Sequence, residues 1–75
     1  MRTWLVDLRN QYAMTQQDVA NKAKIPRTTY ASIEQGRRSP SVSNAMRIAS
    51  VLNFEWTIFF ESELRETTHN KKVVS

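Results

Sequence analysis

The sequence contains no cysteine, a single glycine and two prolines in 75 residues, and each scarcity removes a class of explanation. Without cysteine there is no disulfide staple and no thiolate metal site, so stability has to come from packing, supplemented at most by association. A reducing, cytoplasmic setting fits. No apolar run approaches the roughly 18 residues needed to span a bilayer, and Met1-Arg2-Thr3-Trp4 lacks the continuous apolar core of a signal peptide. A soluble protein with no membrane partner is expected. His69, the sole histidine, has no cysteine, aspartate or second histidine near it, and no base, nucleophile and orienting group recur at a suggestive spacing. The expectation is therefore no metal, no cofactor and no enzymatic activity. The length allows one domain and leaves no room for a ligand-sensing one, so induction would have to come from another protein, proteolysis or concentration.

What the chain does have is an uneven charge distribution. Its net charge of +4 is weak evidence for an anionic partner. Between positions 22 and 47, however, Lys22, Lys24, Arg27, Arg37, Arg38 and Arg47 stand against Glu34 alone, while Glu55, Glu61, Glu63 and Glu66 crowd the C-terminal part. The middle would face a polyanion and the acidic end would be repelled from it.

Hydrophobic spacing and turn chemistry predict an all-α chain of five short helices. Leu5, Leu8 and Tyr12 recur at helical spacing, giving a first amphipathic helix over 2–12. Thr15 with Asp18 forms a capping-box-like start for a second, whose inward stripe is Val19, Ala20 and Ala23. Pro26 suits the first turn of a third helix, 26–35, with Tyr30 and Ile33 inward and the lone Gly36 as a left-handed stop. Ser41 can cap a fourth, with Val42, Ala45, Met46, Ala49 and Leu52 expected inward and Asn53 as its stop. A short fifth helix follows from Phe54, which with Phe59 is expected in the core. The predicted domain is 1–62, with 63–75 a polar, flexible tail.

Two helices joined by about three residues match a helix-turn-helix, a spacing that many helical hairpins share. The residues themselves are more specific. "LR" at 8–9, "TQQDVANKAKIPRTTYASIEQGRRSPS" at 15–41 and "RIASVLNF" at 47–54 together resemble the Cro and phage-repressor (Xre-like) family of helix-turn-helix regulators. The likeness runs from residue 5 to about 60, and its most diagnostic run is Gln-x-x-x-Ala followed by Ile-Glu-x-Gly-x-x-x-Pro-Ser.

The resemblance implies a compact lambda-repressor-like DNA-binding domain. Its third helix would enter the major groove, which places Arg27, Thr28 and Ser32 at base edges and leaves Ala31 room for a thymine methyl. Gln16 and Gln17, in the first turn of the second helix, would grip phosphate. Arg37 and Arg38 after the recognition helix, and Ser43 and Asn44 in the first turn of the fourth, are assigned to affinity, with a merely solvated linker as the alternative for the two arginines. Lys22 and Lys24 read more readily as solubilising surface. The resemblance also implies that Arg9 and Glu34 form a structural ion pair. The aromatic excess at the end, Trp56, Ile58 and Phe60, would serve a homodimer interface, with intramolecular packing as the alternative.

The expected function is a sequence-specific transcriptional regulator, a repressor, binding double-stranded DNA at a palindromic operator as a homodimer, with a regulatory protein as a further partner. The competing reading is an antitoxin-like or adaptor module with secondary DNA binding. Three departures from the family pattern stand out. Ala13 and Lys24 occupy turns where glycine is common, and Pro26 removes a capping hydroxyl.

Overall fold

A computed structural model describes residues 1–61 of the chain. Four helices are laid out in order, α1 (Thr3–Gln11), α2 (Gln16–Ala23), α3 (Arg27–Glu34) and α4 (Val42–Leu52). A fifth helical stretch occupies 58–61, and there is no strand among the described residues. The architecture is all-α, and no helix among the described residues is long and apolar enough to cross a membrane. The tail expected at 63–75, with Glu63, Glu66 and His69, lies outside the described residues.

Local chemistry fixes the helix ends. The Thr15 hydroxyl accepts from the Asp18 amide at 3.1 Å while the Thr15 amide donates to Asp18 Oδ2 at 2.9 Å, a complete capping box. The Thr15 backbone amide, foremost, and the Thr15 hydroxyl beside the carboxylate favour its charged form and hold the Asp18 pKa below the ordinary value. Ser41 Oγ accepts from the Asn44 amide at 3.1 Å at the start of α4. Pro26 is the N-cap of α3 rather than its first helical residue, and it brings no side-chain cap.

The four C-termini share one device. Ala13, Lys24, Gly36 and Asn53 all have positive φ, between 54° and 81°. In each case the next residue's amide reaches back five positions: Met14 to Arg9, Ile25 to Ala20, Arg37 to Ser32 and Phe54 to Ala49, at 2.9–3.2 Å. Left-handed geometry costs a residue with a Cβ, so the turns at Ala13 and Lys24 carry strain that Gly36 avoids.

The helices pack around α2, which contacts both α3 and α4. Ala20, Ala23, Ala45 and Ala49 are all buried, and their small side chains let α2 and α4 approach closely. Tyr30, Ile33, Ile48, Leu52, Leu5 and Phe59 fill the remaining interior. Trp4, Phe54 and Phe59 meet edge to face, with centroids 5.2–5.6 Å apart, and tie α1 to the segment after α4.

Three residues expected to face inward, Val42, Met46 and Tyr12, face solvent instead. Val42 and Met46 are 53% and 50% exposed, because the buried stripe of α4 is Ala45, Ile48, Ala49 and Leu52. Positions 42 and 46 form a neighbouring row, one step around the helix from that stripe. Tyr12 is 45% exposed, since it caps the end of α1 instead of continuing its buried face.

Candidate nucleic-acid interface

Glu34 is the sole carboxylate between positions 22 and 47, and it is only 1% exposed. Arg9 from α1 holds it in a two-pronged pair, Nε to Oε2 at 2.7 Å and Nη2 to Oε1 at 3.2 Å. The Tyr30 hydroxyl donates to Oε2 at 2.8 Å and the Gln16 amide to Oε1 at 2.7 Å. Burial pushes the Glu34 carboxyl up, but the hydrogen bonds from Arg9, Gln16 and Tyr30 outweigh it and hold the pKa below the ordinary range. Burial also raises the Tyr30 phenol, and the neighbouring carboxylate adds to the shift. With its one acid hidden and neutralised, the exposed charge of residues 22–47 is wholly cationic.

Gln16 links this buried cluster to the surface. Its amide nitrogen donates inward to Glu34, and its carbonyl oxygen lies 3.4 Å from Arg27 Nη1 in the first turn of α3. Arg27 and Thr28 are exposed, and Ala31 and Ser32 are half-buried on the same helix. Beside them is an open recess of about 490 Å³ lined by Arg9, Thr15, Gln16, Gln17 and Arg27, so the N-terminal turn of α2 opens onto it. The amides of a helix's first turn and its positive dipole end suit an anion. Gln17 Nε2 bonds Asn21 Oδ1 at 2.8 Å along the α2 surface.

The short α2–turn–α3 unit is a helix-turn-helix, and the helix-turn-helix family model matches residues 5–59. The chain belongs to the Cro and phage-repressor type of helix-turn-helix regulators. It is 47% identical over 72 residues to an uncharacterized HTH-type transcriptional regulator, YqaF, of Bacillus subtilis, covering 96% of this chain and 95% of the relative. An uncharacterized HTH-type transcriptional regulator of Archaeoglobus fulgidus is 40% identical over 71% of this chain and 76% of its own length. One from Methanothermobacter thermautotrophicus is 38% identical over 73% of this chain and 80% of its own. No solved structure matches the chain.

In this helix-turn-helix frame, the structure brings Gln16, Gln17 and Arg27 to one recess and joins Gln16, Arg9 and Glu34 through hydrogen bonds. Arg37 and Arg38 are exposed after α3, and the Arg38 carbonyl accepts from Arg2 at 3.4 Å. Ser43 is exposed, whereas Asn44 is half-buried with its amide taken by Ser41. Trp56, Ile58 and Phe60 are all half-buried, with Trp56 and Phe60 meeting edge to face at 6.0 Å and packed against the core.

Three contributors carry no sequence signal of their own. The Tyr30 hydroxyl reads as part of an apolar stripe. Arg2 looks like an N-terminal surface charge, yet its amide donates to the Glu34 carbonyl at 2.8 Å, its guanidinium to the Ile33 carbonyl, and it lies 5.6 Å from the Phe59 ring centre. Arg47 anchors on the Lys24 carbonyl at 3.4 Å. Arg2 and Arg47 depend on pairings between segments more than 20 residues apart, which periodicity does not encode, whereas Tyr30 reaches Glu34 one turn along its own helix. Among the described residues no group of His, Cys, Asp or Glu is placed to hold a metal ion.

Proposed function

We propose that the protein is a sequence-specific DNA-binding transcriptional repressor that lays α3 in the major groove and binds a palindromic operator as a homodimer. The observation that carries this reading is the exposed first turn of α3, with Arg27 beside the Gln16 carbonyl, in a stretch, residues 22–47, whose one acid is buried. Arg27 offers a planar fork for guanine O6 and N7, Thr28 a methyl and a hydroxyl for a neighbouring base, and Ala31 space beside a thymine methyl. Ser32, half-buried, reaches less far.

Phosphates on either side of the groove would set the register. The recess at the start of α2, with Gln16 and Gln17, takes one; Arg37, Arg38 and the first turn of α4, with Ser43 and Asn44, take the other. Trp56, Ile58 and Phe60, half-buried, would contribute to a two-fold contact that presents two copies of α3 roughly 34 Å apart.

The test is duplex affinity across a salt series from roughly 50 to 200 mM, where neutralising several phosphates makes the affinity fall steeply and linearly on a logarithmic plot. Binding that is absent at low salt, or present but insensitive to salt, would contradict the reading.

A further inference from the structure

The basic surface has a second feature, at the opposite end of α2 from the recess beside Arg27. A groove of about 420 Å³ runs between the C-terminal turn of α2 and the middle of α4. Lys22, Lys24 and Arg47 supply its polar wall and Ala23, Met46 and Val51 its apolar one, and no carboxylate lines it. Arg47 is held in place by the Lys24 carbonyl at 3.4 Å, and the left-handed Lys24 backbone fixes where that carbonyl points.

Met46 is half-exposed here, and Val42, one turn earlier on α4, is exposed as well. These are the two apolar residues whose row lies beside the buried stripe of α4, so their hydrophobicity stabilises nothing in the core to match their size. We propose that this groove is a docking site for an acidic amphipathic helix of a partner protein. Such a segment would lay a short apolar row against Met46 and Val51 and place carboxylates on either side, against Lys22, Lys24 and Arg47. Charge complementarity selects an acidic segment over a basic or neutral one. The apolar wall selects a peptide over a phosphate backbone, which would cover Met46 and Val51 without gaining from their burial. The groove stands apart from the proposed reading of DNA by α3, and the proposal survives if that reading fails.

The experiment is a chemical-shift titration of the isotope-labelled full chain with a synthetic peptide carrying leucine and phenylalanine one helical turn apart among glutamates and aspartates. Its companions are a scrambled peptide of identical composition, polyglutamate, and a short random-sequence duplex. The proposal expects saturable shifts concentrated at residues 22–24 and 46–51 with the amphipathic peptide, and weaker, non-saturating ones with the scrambled peptide. Met46→Gln, which changes no charge, should lower peptide affinity about tenfold by removing apolar contact area. Its unfolding temperature should be unchanged, and Lys22→Glu should weaken the peptide further at low salt. Equal response to polyglutamate, insensitivity to Met46→Gln, occupation of the groove by the duplex in preference to the peptide, or shifts there from self-association alone would each overturn it.

Discussion

Arg9 Nε lies 2.7 Å from Glu34 Oε2, and the two partners differ sharply in access to water, with side chains 15% and 2% exposed. The pair is therefore asymmetric. Removing Arg9 strands a carboxylate with almost no solvent, whereas neutralising Glu34 leaves a guanidinium that still reaches water and the Met14 carbonyl at 2.9 Å. Arg9→Met should destabilise the protein by about 3 to 5 kcal/mol, and Glu34→Gln by clearly less. Urea denaturation of the two variants checks this, and equal losses would refute the asymmetry.

The same carboxylate sets an acid limit on stability. Its folded pKa is below its ordinary value of 4.5, so its contribution is fully present above that value and is lost as pH falls through the depressed one. Asp18 acts in the same direction. The unfolding temperature should be level from neutrality to near pH 5 and drop below it, with a shallower drop in Glu34→Gln. At the other extreme, the raised phenol of Tyr30 binds its proton more tightly folded than unfolded, so stability should fall as pH rises above the ordinary tyrosine value of 10.0. Tyr30→Phe should flatten that alkaline decline.

Ala13 has a φ of 54° and an exposed side chain, so its methyl group stabilises little and opposes the left-handed turn. Ala13→Gly should raise stability by about 1 kcal/mol, less the extra unfolded-state entropy of glycine. Gly36→Ala should do the reverse, since its φ of 81° is one a residue with a Cβ adopts only with strain. Thermal melts of the two variants should move in opposite directions.

Much of the helical frame was legible because its boundaries are local. Thr15 with Asp18, Ser41, Gly36 and Asn53 are each read from a few neighbouring residues, and each does in the fold what that local chemistry dictates. The rotation of α4 was not legible in the same way. Val42 and Met46, or Ile48 in place of Met46, complete an equally regular stripe, and tertiary packing, which puts Ile48 in one core cluster with Ala20 and Ala23 of α2, selects Ile48. At the candidate site, the outward position of Arg27 followed from its place beside Tyr30 and Ile33 on one short helix. The double engagement of Gln16 did not, because it requires α1, α2 and α3 to converge on Glu34.

Gln16 should consequently act through Arg27 as well as through phosphate. Gln16→Ala removes the acceptor beside the guanidinium and one donor to Glu34, so it should both weaken duplex binding and cost about 1 kcal/mol of stability. Arg37→Ala and Arg38→Ala should leave stability unchanged, weaken all duplexes alike and flatten the salt slope by about one ion each. Binding isotherms at several salt concentrations distinguish the two patterns.

Selection of bound duplexes from a random pool at physiological salt, run in parallel on the wild-type protein and on Arg27→Ala, asks whether α3 reads base edges. Wild type should recover an inverted repeat, and Arg27→Ala should lose preference at one base pair of each half-site, at a cost of about 1 to 3 kcal/mol on the wild-type sequence. Recovery of no common sequence by the wild-type protein, or of the same sequence with the same preference by both proteins, would contradict the assignment of α3 as the reader.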